Sequence, residues 1–350
     1  MENLLNIDIE QPRWDQQTFV GRLKHFFNIT DPRTVLCSNS ELEAAKTLVT
    51  QHREKTLPAD VTEDQLWHAK KLYDSAFHPD SGEKQNVIGR MSFQVPGGMA
   101  ITGAMLQFYR TVPAVIFWQW INQSFNALVN FTNRNAESDL TIEKIGIAYV
   151  SATTSAVVTA IGLKKLLSVR GGSLLQRFVP FAAVAAANCV NVPLMRQRLV
   201  FIFSLHIFLF TSHLFCKTLE ISNGIAVMTK DGEKVTHSKV AAAKGISQVV
   251  FSRIVMAAPG MMLCPIIMDR LERYRWMQRI TPLHAPIQVM IVGCFLLFMT
   301  PTACAFFPQK CSINVETLKK WEPEKYKLME RKLEGIKSPI SPYLYFNKGL

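Results

Sequence analysis

Residues 117–135 read FWQWINQSFNALVNFTNRN. Bulky apolar side chains are mixed here with uncharged amides, and the reading of that mixture decides the fold. Gln119, Asn122, Gln123, Asn126, Asn130 and Asn133 recur at steps of three and four, which lines them along one face of a helix. Carboxamides supply donors and acceptors together. Such a face can hold the carboxylate, ammonium and hydroxyl of a small amino acid without a fixed charge of its own. Two plainer readings stand beside that one. The amides either tie helices together inside a bilayer or form the wet face of a surface helix.

The rest of the 350-residue chain favours a membrane setting. Hydrophobic residues make up 48% and the mean hydropathy is +0.10, high for a soluble protein. Residues 1–94 carry 11 basic against 14 acidic side chains, a net of −3, whereas residues 95–350 carry 28 against 13, a net of +15. A soluble head joined to a basic membrane part fits this split, with the excess charge lying on anionic lipid. Basic and aromatic residues are not interleaved as in a nucleic-acid reader, so no nucleic-acid partner is expected. The expected division is a helical head over 1–94, a membrane domain over 95–307 and a polar tail over 308–350. The expected class is all-α.

Five runs have the length and low charge of spans, at about 95–118, 145–163, 174–195, 246–268 and 284–307. Several contain helix breakers: VPGGM at 95–99, NVP at 191–193, APG at 258–260, and Pro265 and Pro301. Broken membrane helices expose backbone groups where transporters bind solutes. Asn188 and Asn191 precede one such break and Arg196 follows it. Arg253 sits within an apolar run, where a guanidinium either serves a site or snorkels to an interface. The candidate substrate contacts are therefore Gln119, Asn122, Gln123, Asn126, Asn188, Asn191, Arg196 and Arg253.

In the head, SNSELEAAKTLV from Ser38 reads as a serine-capped helix. TEDQLWHAKKLYDSAF (62–77) places Leu66, Ala69, Tyr73 and Phe77 on one face. That helix stops at HPDSGE, a motif of unassigned role comprising His78, Pro79, Asp80, Gly82 and Glu83. Its plain reading is a turn that caps its own backbone. The chain has no Walker loop, dinucleotide fingerprint, hydrolase triad or metalloprotease signature. Its seven cysteines form no CxxC pair. Neither an enzyme activity, a cofactor nor a metal site is expected.

Several stretches together resemble the sideroflexin family: RWDQQTFVGR (13–22), YDSAFHPDSGEK (73–84), IGRMSFQVPGGM (88–99), FYRTVPAVIFWQWINQSFNALVNFTNR (108–134), RFVPFAAVAAANCVNVPLMRQR (177–198), HAPIQV (284–289), FPQKC (307–311) and YFNKGL (345–350). The GRMSFQVPGG wording is most similar to the sideroflexin two branch. The resemblance implies a multi-pass protein of the mitochondrial inner membrane with about five spans and no cleaved presequence. It implies transport of serine and other small neutral amino acids in support of one-carbon metabolism, and a link to iron and haem homeostasis. It carries no settled list of binding residues and no protein partner. Two alternatives remain: a non-transporting scaffold that recruits iron or haem enzymes, and an Hsp70 co-chaperone acting through His-Pro-Asp.

One segment departs from the family pattern. LVFIFSLHIFLFTSHLFCKT (199–218) interrupts the join after MRQR. A single added crossing would put the basic loops near 164–177 and 269–279 on opposite sides of the bilayer. The insert is therefore expected to be re-entrant or interfacial, or to leave the chain misassembled, with no metal held by His206, His213 and Cys216.

Overall fold

In a computed structural model, residues 7–348 are described apart from 59, 79–80, 110, 134–141, 171–176, 197–223, 230–232 and 337–341. The head comprises α1 (Phe19–Ile29), a 3-10 turn (Pro32–Leu36), α2 (Asn39–Arg53) and α3 (Glu63–Ala76). Two capping boxes start its paired helices, Ser38 with Glu41 and Thr62 with Gln65, each satisfying backbone donors that no helical partner reaches. The face expected on α3 is the one buried: Leu66, Ala69, Tyr73 and Phe77 pack with Leu42, Ala45 and Val49 of α2.

Asp31 ties these pieces together, accepting from Arg33 at 2.7 Å and from Lys71 of α3 at 2.6 Å. Burial by itself would push its carboxyl up, but the hydrogen bonds from Arg33 and Lys71 outweigh that and hold it well below the usual carboxylate range. A carboxyl depressed on folding contributes stability above its unfolded value, about 3.9, and loses that contribution as pH falls through the lower folded value. Asp31→Asn is accordingly expected to cost about 3 kcal/mol at neutral pH, since it strands a shielded Lys71. Thermal unfolding should show the gap between variant and wild type closing below about pH 4.

The remaining helices are α4 (Gln94–Phe108), α5 (Val112–Thr132), α6 (Ile142–Arg170), α7 (Val179–Arg196), α8 (Lys239–Leu271), the short α9 (Arg275–Arg279) and α10 (His284–Ala305). The run expected to be one span at 95–118 is two helices. Tyr109 ends the first, and Thr111 caps the second with Pro113 in its opening turn. At about 1.5 Å per residue α4 is roughly 22 Å long, short of a 30 Å hydrocarbon layer. Among the described residues three stretches are long and apolar enough to cross: Tyr149–Leu167, Lys239–Leu271 and Thr281–Ala305, with a shorter apolar Val179–Val190. The expected breaks are not realised. Helices α7, α8 and α10 run through Pro193, Pro259, Pro265 and Pro301, and VPGGM forms the first turns of α4. A proline forfeits its own N–H and crowds the carbonyl four residues back, but an apolar surrounding offers the freed carbonyl nothing better than to stay in the helix.

Six of these helices close into a ring: α4 packs on α5, α5 on α6, α6 on α7, α7 on α8, α8 on α10 and α10 back on α4. Gly103 permits the closest of these approaches, since a Cβ there would lie 2.6 Å from the Val289 side chain. Neighbours in the ring run antiparallel. Head and sheet share one end of it. Arg22 of α1 donates to the Ala305 carbonyl that closes α10, and Asn133 after α5 donates to Gly89 just before α4. At the far end Arg177 pairs with Asp269 and Glu272.

A small sheet, absent from the all-α expectation, completes the head end. Strands β1 (Ile225–Met228), β2 (Lys234–Ser238), β3 (Lys310–Asn314) and β4 (Tyr343–Asn347) pair antiparallel in the order β2-β1-β4-β3. Helices α11 (Val315–Trp321) and α12 (Pro323–Ile336) belong to the same unit. Ser238 ends β2 and caps α8, so the sheet opens directly onto the ring. Val184 of α7 meets Met261 of α8 while Arg177 meets Asp269, so α7 descends toward the head end. Residues 196 and 224, which border the stretch holding the expected insert, therefore lie at that same end. The insert itself falls outside the described residues.

Candidate functional site

Helix α5 is turned inside out. Gln119 is 0% exposed, Asn122 9% and Gln123 2%, whereas Phe117 and Trp120 are 49% and 47% exposed. In water the rings would be inside and the amides outside; amides inward and aromatics outward is the order of a helix facing lipid. The surface-helix reading of this stretch is thereby corrected. Asn126 is partly buried, and Asn130 lies on the same helix with its side chain outside the described residues.

The stripe divides into two parts with different work. At its head end Asn133 is fully engaged, donating to Gly89 and Val129 carbonyls at 2.8 and 2.9 Å and accepting from Gln85 at 3.1 Å. That end is structural, as the helix-tying reading holds. Near the middle of the ring the amides are only half satisfied. Gln119 Nε2 donates to the Tyr109 hydroxyl at 3.3 Å and contacts Met105 Sδ at 3.5 Å. Its Oε1 is buried with no partner, and so is Asn122 Nδ2 one turn on. A buried polar group without a hydrogen bond costs about 1–3 kcal/mol. One orphan acceptor and one orphan donor, side by side on one helix, are what a solute bearing both an ammonium and a carboxylate would satisfy.

Above this layer, toward the far end, Met105 of α4, Val184 of α7 and Met261 of α8 cluster with Tyr109, Trp118, Phe181 and Ala257. Four helices thus meet in an apolar cluster next to Gln119. Asn188 is buried and lies one turn below Val184 on the same face of α7, on the head-end side. Tyr109 and Met105 escaped the sequence reading because the 95–118 run hides the turn between them and α5. The Thr111-Val-Pro113 start was the signal that marks it.

Other candidates are more dispersed. Asn191 and Arg196 lie on the last turns of α7, their side chains outside the described residues. Arg253 is partly buried on α8, eight residues or about 12 Å toward the head end from Met261, in electrostatic reach of Cys304. His78 belongs to a closed turn. Its N–H donates to the Glu83 carbonyl at 2.8 Å, its carbonyl accepts from Gly82 at 2.9 Å, and its Nδ1 accepts from Ser81 at 3.3 Å. Gly82 adopts φ +64°, the left-handed region that glycine enters without strain. Pro79 and Asp80 fall outside the described residues. Among the described residues no group of three or more His, Cys, Asp or Glu is placed to hold a metal.

Comparison with known proteins places this geometry in a family context. The family model described as Sideroflexins matches residues 8–200 and 211–350, with the interruption inside the expected insert. Sideroflexin-2 of Bos taurus is 55% identical over 348 residues, 99% of each chain. Sideroflexin-2 of Homo sapiens is 54% identical over the same shares, and Sideroflexin-1 of Ovis aries 51% identical over 99% of this chain and 98% of its own. No solved structure matches.

Proposed function

The chain belongs to the sideroflexin family, and on that premise we propose that it carries serine and similar small neutral amino acids across the mitochondrial inner membrane. By the same family resemblance this supply serves one-carbon metabolism and touches iron and haem homeostasis. The observation that supports the reading is the pair of buried, unpartnered amide atoms, Gln119 Oε1 and Asn122 Nδ2, on a helix whose Phe117 and Trp120 face outward. Gln119 accepts a hydrogen bond from the solute ammonium and Asn122 donates to its carboxylate, while Asn188 closes the layer from α7. Gln123 and Asn126 continue the stripe. Asn191, Arg196 and Arg253 belong to the same proposed set of contacts, with Arg253 or Arg196 meeting the carboxylate. An uncharged layer matches a solute of zero net charge, because a buried unbalanced charge is costly on either partner.

No covalent step is involved, so the chain works as a carrier and not as an enzyme. Division into a head over 1–94, a carrier domain over 95–307 and a tail over 308–350 belongs to the same proposal. The purified protein alone, sealed into liposomes, is expected to take up labelled serine above empty vesicles, and to do so less well when residues 199–218 are present than when they are deleted. If serine, alanine and glycine all stay outside, the carrier reading fails and the scaffold alternative takes its place.

A further inference from the structure

Among the described residues two arginines are more than nine-tenths buried, Arg22 at 7% exposed and Arg90 at 4%. Their surroundings differ in a way that matters. Arg22 donates to three carbonyls, Ala305 at 2.8 Å, Gln16 at 2.9 Å and Gln17 at 2.8 Å, and its donors are used. Arg90 donates from Nε to the Gln85 carbonyl at 3.3 Å, and its guanidinium makes no ion pair or other hydrogen bond among the described residues. Within four residues of chain two more groups lack partners. Ser92 is 0% exposed with an unpartnered Oγ, and Gln94 has a buried, unpartnered Nε2. Gln94 is also the first residue of the 15-residue α4, which a 3-10 turn over Met91–Phe93 enters without a break, the Gln94 N–H donating to the Met91 carbonyl. A guanidinium, a hydroxyl and an amide with donors to spare thus follow one another within five residues at the head end, and no carboxylate is paired with them among the described residues.

We propose that Arg90, with Ser92 and Gln94, forms a receptor for a small carboxylate at the head end of the ring. A monoanion neutralises the single guanidinium, whereas a dianion such as phosphate leaves net charge buried, so a carboxylate is the better fit. Gln94 begins the helix that carries Met105, eleven residues or about 16 Å deeper, beside Gln119. If the carrier reading holds, the receptor takes an amino acid by its carboxylate before it reaches the amide layer; only this last step rests on that reading.

Thermal unfolding of the purified full chain, read in chloride buffer, tests the receptor with acetate, ethanolamine and phosphate as probes. Acetate is expected to raise the midpoint and ethanolamine, an amine without a carboxylate, to leave it unchanged. Arg90→Gln is expected to abolish the acetate shift and to unfold no earlier than wild type without ligand, because it removes an uncompensated buried charge. An acetate shift that survives Arg90→Gln, a shift with phosphate alone, or a fall in the unliganded midpoint of Arg90→Gln would each overturn the assignment, the last by making Arg90 a structural residue. In vesicles Arg90→Gln should raise the serine KM about tenfold, the worth of one charge-assisted contact, with kcat nearly unchanged. Vesicles that take up no serine at all, with the acetate result intact, would remove the carrier reading and leave the receptor standing.

Discussion

Asn122→Leu is expected to lower serine uptake about 100-fold, the loss of one hydrogen bond to a charged group plus intrusion of an apolar side chain, while leaving the folded protein at least as stable as wild type. The sign of the stability term separates the two readings of the amide stripe. Asn122 Nδ2 is buried without a partner, so its removal relieves a penalty of about 1–3 kcal/mol in the unliganded protein. An amide that ties helices together behaves in the opposite way. Asn133, with partners at Gly89, Val129 and Gln85, is the internal comparison: Asn133→Leu should unfold earlier by several degrees, as a loss of about 1–3 kcal/mol implies. Uptake by reconstituted vesicles and thermal unfolding of the same preparations decide the matter. Unchanged uptake together with an earlier unfolding of Asn122→Leu would return the whole stripe to a packing role.

Arg22→Met is expected to cost about 3–5 kcal/mol, the largest stability effect in the head. The arginine closes the end of α10 at Ala305 and holds the Gln16 and Gln17 carbonyls of the segment leading into α1. Methionine matches much of its volume but leaves three carbonyls short of a donor. Phe19 and Phe27 of α1 would still touch Phe306 and Phe298, so the head should loosen and not dissociate. Limited proteolysis is the sensitive readout, with cleavage in the 1–94 region accelerated well before the membrane helices unfold. Arg22→Lys should recover only part of the loss, because one ammonium cannot replace a fork of planar donors. Equal proteolysis rates for the Arg22→Met variant and the wild-type protein would show that the aromatic contacts alone dock the head.

The contrast between Arg22 and Arg90 marks the limit of sequence reading. Both are arginines in helical, partly apolar surroundings, and neither spacing nor composition separates the saturated one from the one left with donors to spare. Hydrogen-bond supply at Arg22 comes from Ala305, 283 residues away along the chain. The turn at Tyr109–Thr111 was legible in principle, since Thr111 and Pro113 are ordinary helix-start residues. The expected breaks at Pro193, Pro259 and Pro265 were not realised, because a proline acts on one turn of its own helix, and whether that turn stays helical depends on what surrounds it. The sheet was invisible for a related reason. Four strands of four or five residues carry too short a pattern to read, and β1 finds β4 across more than a hundred residues.

By itself the amino-acid order determined the local periods: the buried face of α3, the caps at Ser38 and Thr62, the apolar spans at α6, α8 and α10, and the amides at three- and four-residue steps on α5. These follow from side chains within one or two turns of each other, which a linear chain records directly. Only the tertiary structure decided that Gln119 and Asn122 face inward while Phe117 and Trp120 face out, that Met105, Val184 and Met261 cluster toward the far end, and that head and sheet share one end. Those outcomes depend on which helices become neighbours, and neighbours are chosen by packing between distant residues, a choice no local period encodes.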